Sequence, residues 1–338
     1  MRPGREFDLI KKFAERAKAP DGGSDRVVLG IGDDAAVTTP KGVTATSVDM
    51  VVEGVHFRRI SSTLRQVGRK ALSVALSDLA AMGAEAGEAY VAIGIPTALD
   101  EAECLELYGG LAEVADETGS EMAGGDVSVS PFLIVAVTVV GHAESAERLV
   151  GRATARPGDA LAVTGELGGA AAGLLLAGAD DRAAELRQAV DASIAEALIG
   201  RHVDPAPRLA AGTALAASGA TAMIDLSDGL GADAWQLASA GPAWLRIELD
   251  RLPLQEGVRE VASAAGLDAL DLAASGGEDY ELLAAIPPER VSDAVAAAGR
   301  AGTSLTVIGE VSRGEGVELR DPSGATRPAR GFDHLDAR

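Results

Sequence analysis

Four runs in the first half of the chain are apolar or β-branched with the length of strands: "RVVLGIG" (26–32), "VTATSVDMVV" (43–52), "EAYVAIGIP" (88–96) and "FLIVAVTVVG" (132–141). Between them, "STLRQVGRKALSVALSDLAAMGA" (62–84) and "DEAECLELYGGLAEVADETG" (100–119) repeat apolar residues at helical spacing. The alternation predicts an α/β pattern. In the first helix Val67, Ala71, Val74 and Ala75 form one buried stripe, and its next position is Asp78, a polar group with something to bind. The pattern lapses at "GHAESAERLVGRATARPGD" (141–159) into small, charged and Pro/Gly residues, which predicts a domain boundary. We place the domains at 1–147 and 148–338. The second half predicts strands at "ALAVTG", "TAMIDL", "AWLRIEL", "YELLAAI" and "SLTVIGEV". Helices are expected after "GELGG", "SDGLGAD" and "PPERVSD".

Length permits two ordinary domains, each with its own core. No apolar run reaches the roughly 18 residues of a membrane helix, and the charged amphipathic start lacks a signal-peptide core, so the expectation is a cytoplasmic protein with no membrane partner. The formal net charge of −21 argues against nucleic acid as a partner, because that surface must be basic. Cys104 is the single cysteine, which excludes an internal disulfide and a multi-cysteine zinc site; its helical context predicts a buried thiol.

"GIGDDA" fits G-x-G-x-x-A at Gly30, Gly32 and Ala35, with Glu53 about 20 residues on, as in a dinucleotide fingerprint. Asp33 and Asp34 oppose that reading, because two carboxylates at the turn repel a bare diphosphate. A cation reverses the sign. No Walker A, protein-kinase or H-E-x-x-H motif occurs. Instead aspartates recur where apolar strands meet glycine-containing turns: Asp33, Asp34, Asp49, Asp78, Asp126, Asp225 and Asp228. Gathered together they would repel unless metal ions stood between them, and Mg²⁺ suits hard oxygen ligands shared with phosphates. The ordinary alternative for any one of them is an N-cap or turn, Asp228 before "GLGADAWQL" being an example. Against it stand the neighbouring glycines, which close passage of backbone to a polyphosphate requires.

Taken in order, "GIGDDAAV", "SVDMVVEGVHF", "ALSDLAAMGA", "GGDVSVSP", "TGELGGAAAGLLL", "MIDLSDGL" and "GGEDYELL" resemble the thiamine-monophosphate kinase family, within the aminoimidazole ribonucleotide synthetase superfamily. The resemblance runs from about residue 5 to "GFDHL". It implies an α/β (α+β) two-domain fold, with an N-terminal mixed sheet used in dimerisation and a C-terminal α/β sandwich. It further implies that ATP phosphorylates thiamine monophosphate to thiamine diphosphate by direct transfer of the γ-phosphoryl group, in a homodimer.

By the same resemblance Asp33, Ser47, Val48 (through its carbonyl), Asp49, Asp78, Asp126, Asp225 and Asp228 hold several Mg²⁺ ions, with Asp126, Asp49 and Asp78 at the catalytic centre. Asp34 orients Asp33 or caps the next segment. Tyr108, Gly125, Asp126, Arg152 and Ser227 contact ATP, while His56, Glu278 and Phe332 contact thiamine phosphate. Two positions depart from the family pattern: "LVGRATARPGD" replaces its Arg-Ser-Gly-Ala arrangement, and Phe332 stands where tryptophan is common. Each contact also has a plainer reading: Tyr108 as helix packing, His56 as a hydrogen-bonded loop histidine, Glu278 as part of a polar turn. The alternatives in function are another ATP-dependent synthetase of the superfamily and a non-catalytic module that binds metal or nucleotide.

Overall fold

The computed structural model describes residues 5–17, 26–32, 34–333 and 335. These described residues divide between two compact units, one lying within residues 1–79 and 84–146, the other within residues 80–83 and 147–338.

The first unit contains α1 (Arg5–Ala17), β1 (Val27–Leu29), β2 (Val37–Thr38), β3 (Val43–Val52), α2 (Leu64–Met82), β4 (Glu85–Ile95), α3 (Glu101–Thr118), β5 (Glu121–Val129) and β6 (Ile134–Ala143). Its main sheet has the order β3-β6-β4-β5. Only the β4/β5 pair is parallel, so the sheet is mixed. Val135, Val137 and Val139 of β6 are buried on the face that α2 approaches, where Leu79 lies close to Gly141. The predicted stripe of α2 is buried as read, with Val67, Ala71, Val74 and Ala75 all at 2% exposure or less. α2 and α3 cross at glycines: a Cβ on Gly68 would lie 1.9 Å from the Leu107 carbonyl, and one on Gly110 1.9 Å from that of Arg65.

A capping box starts α3, with the Asp100 carboxylate accepting the Glu103 N–H at 2.9 Å and Glu103 accepting the Asp100 N–H at 2.8 Å. The opposite face of the sheet is apolar and open in the single chain. Val48 is 68% and Met50 48% exposed, and Ile134, Ala136, Thr138 and Val140 of β6 are half-buried.

The second unit is built on a seven-stranded sheet. Its strands are β7 (Ala160–Thr164), β8 (Ala222–Asp225), β9 (Ala243–Glu248), β10 (Leu282–Ile286), β11 (Leu305–Arg313), β12 (Gly316–Arg320) and β13 (Thr326–Arg327). Their order is β13-β12-β9-β11-β7-β10-β8, with β12/β9 the parallel pair. The helices are α4 (Gly169–Ala177), α5 (Asp181–Leu186), α6 (Ala192–Val203), α7 (Leu209–Ala217), α8 (Leu230–Ala240), α9 (Val258–Ala265), α10 (Ala269–Ser275) and α11 (Val291–Arg300).

Alternate strand residues feed two cores. Leu161, Val163, Leu283 and Ala285 join Leu230, Ala234 and Leu237 of α8. Ala162, Leu282, Ala284 and Ile286 join Leu215 of α7 with Ala294 and Ala298 of α11. Both faces of β7 and β10 are therefore covered, which explains why they read as unbroken apolar runs. The fold is the mixed sheet followed by an α/β sandwich that the sequence led us to expect. No described helix is long and apolar enough to cross a membrane.

Candidate functional site

In the second unit the loop between β8 and α8, residues 226–229, is the meeting point of distant segments. The Glu278 N–H donates to the Ser227 carbonyl (2.8 Å), the Tyr280 N–H to that of Leu226 (2.9 Å), and the Phe332 N–H to that of Asp228 (2.9 Å). Asp225, at the end of β8, is 4% exposed. A cleft of about 770 Å³ opens beside the loop, lined by Asp228, Trp235, Gln236, Phe332 and Asp333. The Arg152 guanidinium donates to Gln236 Oε1 at 3.2 Å on its border. The structure thus gathers Asp225, Ser227, Asp228, Glu278, Phe332 and Arg152 into one neighbourhood, although they span 180 residues of sequence.

The N-cap position of α8 is Gly229, not Asp228. The backbone N–H groups of Asp228 and Gly229 are accepted instead by Asp233, one turn into α8 (3.1 and 3.0 Å). Burial first, then the charges of Asp225 and Asp228, push the Asp233 carboxyl up to about 8. The "GGEDYELL" segment is more than a polar turn. Glu278 and Tyr280 both take left-handed backbone (φ 70° and 49°), which flips successive side chains apart. Asp279 is buried and accepts the N–H groups of Gly168 (2.7 Å) and Ala170 (3.0 Å) at the start of α4. Glu281, fully buried, receives Arg201, both Nε (2.7 Å) and Nη2 (2.5 Å) of Arg208, and the Thr164 hydroxyl (2.7 Å). Glu278 lies 2.8 Å from His202 Nδ1.

In the first unit Ser47 donates its hydroxyl to Asp78, joining β3 to α2. Asp49, two residues along β3, lies on the same side of the strand, where Oδ1 accepts the Met50 N–H at 2.6 Å. Val48, between them, points to the open face. His56 is a hydrogen-bonded loop histidine: its Nδ1 accepts the Val52 N–H (3.1 Å), leaving the proton on Nε2, and Lys70 donates to its carbonyl (2.9 Å). Glu53 ties its own loop through Arg59 (3.1 Å) and the Leu133 N–H (3.2 Å), so it is occupied structurally. Tyr108 is 3% exposed and stacks on Phe13 (4.3 Å between ring centroids, 7° between planes); burial raises its hydroxyl well above the usual range. Cys104 is buried. Asp33 lies outside the described residues, and Asp34 is exposed.

Two expectations need correction. Asp126 is not at a turn but inside β5, which the sequence reading left unassigned because glycines break its alternation. Gly125 answers to the protein's own backbone, since a Cβ there would sit 2.0 Å from the Val91 carbonyl of β4; likewise one on Gly229 would sit 2.8 Å from that of Ser275. Those glycines are explained without a phosphate. The register also separates the acids. Met50, Ala136, Ala92 and Asp126 form one cross-sheet row, whereas Asp49 belongs to the adjoining row with Val137, Val91 and Gly125. Asp49 and Asp126 stand on opposite edge strands and opposite faces, roughly 14 Å apart at ordinary strand spacing.

Accordingly, among the described residues no three His, Cys, Asp or Glu side chains surround one metal position. The donor chemistry nevertheless fits a hard divalent cation. Ser47, Asp49 and Asp78 offer oxygen from one side of β3, and the mutual repulsion of Asp225, Asp228 and Asp233 is what a cation would relieve. Lys70, His202, Asp233 and Trp235 were missed in sequence. Lys70 alone carried a signal there, four and eight residues before Val74 and Asp78 on the apolar stripe.

The family of AIR synthase related proteins matches twice, its N-terminal domain over residues 32–143 and its C-terminal domain over residues 156–322. A thiamine-monophosphate kinase from Halobacterium salinarum is 38% identical over 291 residues, 85% of this chain and 90% of that protein. The crystal structure of thiamine-monophosphate kinase from Stenotrophomonas maltophilia K279a superposes with a TM-score of 0.82 at 32% identity, covering 96% of this chain and 98% of that one. AaThiL complexed with AMPPCP and TMP gives 0.75 at 32% identity, covering 97% and 95%. With two matching domains and relatives of this identity along most of its length, the chain belongs to the thiamine-monophosphate kinase family.

Proposed function

We propose that this protein transfers the γ-phosphoryl group of ATP to the phosphate of thiamine monophosphate, giving thiamine diphosphate and ADP. What carries the reading is the convergence of Asp225, Ser227, Asp228, Glu278, Phe332 and Arg152 on one loop and cleft, in a chain of this family. Because ATP is the donor, the cytoplasm is the proposed setting.

The nucleophile is a phosphate oxygen of thiamine monophosphate, which attacks the γ-phosphorus as the bond to the ADP oxygen breaks. With a second pKa near about 6 it is largely ionised at neutral pH, so no strong base has to remove a proton. Among the described residues no recognisable nucleophile–histidine pair occurs, which is consistent with that. The protein's task is placement and charge balance. Asp33, Ser47, Asp49, Asp78, Asp126, Asp225 and Asp228, with the Val48 carbonyl, are the proposed holders of Mg²⁺. When bound, Mg²⁺ supplies positive charge that screens the two phosphate groups from one another and from the acidic protein. Arg152 and Ser227 are assigned to the nucleotide together with Tyr108 and Gly125; of these Tyr108 needs an exposed edge that its packing in the single chain does not give. Glu278, His56 and Phe332 are assigned to thiamine phosphate.

A homodimer is part of the proposal. The open apolar face of the first sheet, with Val48 and Met50 exposed, is suited to a second copy. The deciding experiment is incubation of the purified chain with ATP, Mg²⁺ and thiamine monophosphate, followed by chromatography of the thiamine esters. Thiamine diphosphate formed in step with ADP supports the reading; ATP bound with no turnover, or turnover with a different acceptor, overturns it.

A further inference from the structure

The cleft beside loop 226–229 holds, beside Phe332, an aromatic ring to which the proposed reaction has so far given no role. Ala232, Trp235 and Gln236 stand on one face of α8, three and four residues apart, and all three line it. Trp235 is 55% exposed, unusual for so large an apolar ring. Its inner edge rests near Gly316 of β12, where an added Cβ would lie 3.7 Å from the ring. The sheet thus supports one side while the rest stays open. Phe332 lines the same cleft, 44% exposed, in a segment fixed by the Phe332 N–H donating to the Asp228 carbonyl. Asp228 and Asp333 complete the lining as carboxylates.

Two rings and two carboxylates around a volume of drug-sized scale select for a flat cation. Ring faces attract positive charge through their quadrupole, and the acids add Coulomb attraction in the same direction. Of the two proposed substrates, thiamine monophosphate has a flat ring with a fixed positive charge, the thiazolium. The adenine of ATP is flat but carries no fixed positive charge, so the ring faces favour it less. We infer that Trp235, with Phe332, forms the wall that receives the thiazolium ring, making Trp235 a specificity-determining residue of this protein. This inference rests on the kinase reading above for the identity of the substrate.

Trp235 and Trp244 are the only tryptophans, so the Trp244→Phe variant of the full chain reports Trp235 alone. Its emission should change saturably on addition of thiamine monophosphate without ATP, and change less on addition of ATP. If that variant does not fold, the difference between wild-type and Trp235→Phe spectra gives the same readout. In turnover assays Trp235→Ala should raise KM for thiamine monophosphate about tenfold and leave KM for ATP within about twofold, while Trp235→Phe, which keeps a ring, recovers most of the loss.

Emission indifferent to thiamine monophosphate, emission that follows ATP instead, or an unchanged KM in Trp235→Ala overturns the inference. A wild-type protein that makes no thiamine diphosphate overturns the kinase reading separately, because the emission titration needs no turnover.

Discussion

One carboxylate oxygen of Asp233 accepts the backbone N–H of Asp228 at 3.1 Å, and the same oxygen accepts that of Gly229 at 3.0 Å. Asp233 thereby sets the course of the loop that Glu278 and Phe332 join. Its carboxyl, pushed up to about 8, is mostly protonated at neutral pH, so an amide is a close mimic. Asp233→Asn should keep both bonds and change the unfolding free energy by less than about 1 kcal/mol. Asp233→Ala leaves two N–H groups without that acceptor and should cost about 1–3 kcal/mol. Urea denaturation of the pair checks this; equal losses for the two variants would refute the role.

Asp279 supplies a pH dependence. Burial, opposed by Arg201 and by the N–H groups of Gly168 and Ala170 and assisted by the charge of Glu281, raises its pKa from 3.8 to about 6. Below pH about 4 the group is protonated in folded and unfolded chains alike, and its contribution to stability is fully present. Between about 4 and 6 the unfolded chain releases the proton while the folded one keeps it, so stability falls as pH rises. A shift of about 2 units corresponds to about 3 kcal/mol. Asp279→Asn, which also weakens one N–H contact, should be less stable at pH 4 and lose that slope. Denaturation midpoints of the two proteins across pH 4–7 provide the measurement, and parallel curves would contradict it.

Asp126 offers the cleanest separation of activity from folding. It is exposed on an edge strand, so Asp126→Ala should alter stability by no more than about 0.5 kcal/mol. If it holds Mg²⁺ as proposed, turnover should fall on the order of a hundredfold. Steady-state rates at saturating Mg²⁺ and ATP, read beside thermal unfolding, test both halves. Unchanged turnover would remove Asp126 from the site.

The buried Glu281 cluster should behave oppositely. Arg208 and Arg201 balance a carboxylate with no exposure, so Arg208→Leu leaves a less compensated charge and should cost about 3–5 kcal/mol. The double variant Arg208→Leu with Glu281→Leu leaves Arg201 facing an apolar pocket and should not restore the wild-type value. Chemical denaturation of single and double variants measures the coupling.

How much of this was legible beforehand follows from where periodicity survives. The stripe Val67–Ala71–Val74–Ala75 and the runs of β7 and β10 announced themselves because burial of one helix face, or of both sheet faces, leaves an apolar trace. β5 left none: Gly124 and Gly125 allow close strand contact but erase alternation, and Asp126 then resembled a turn residue. Asp233 and His202 were invisible for a different reason. Each acts on groups it reaches only after folding, and nothing local distinguishes an aspartate in the first turn of α8 from any other helix-start acid. The motif aspartates were legible as a set, yet the placing of Asp49 and Asp126 on opposite edges and faces is set by strand order and register, which no short segment encodes.

The loop at 226–229 is closed by hydrogen bonds from residues 278 and 332. A ribosome must therefore deliver the chain as far as Phe332 before this neighbourhood exists, even though the first unit is encoded ahead of it. Nascent chains halted short of Phe332 would carry the N-terminal sheet and an unfinished cleft, so the cleft is completed well after the first sheet has been made.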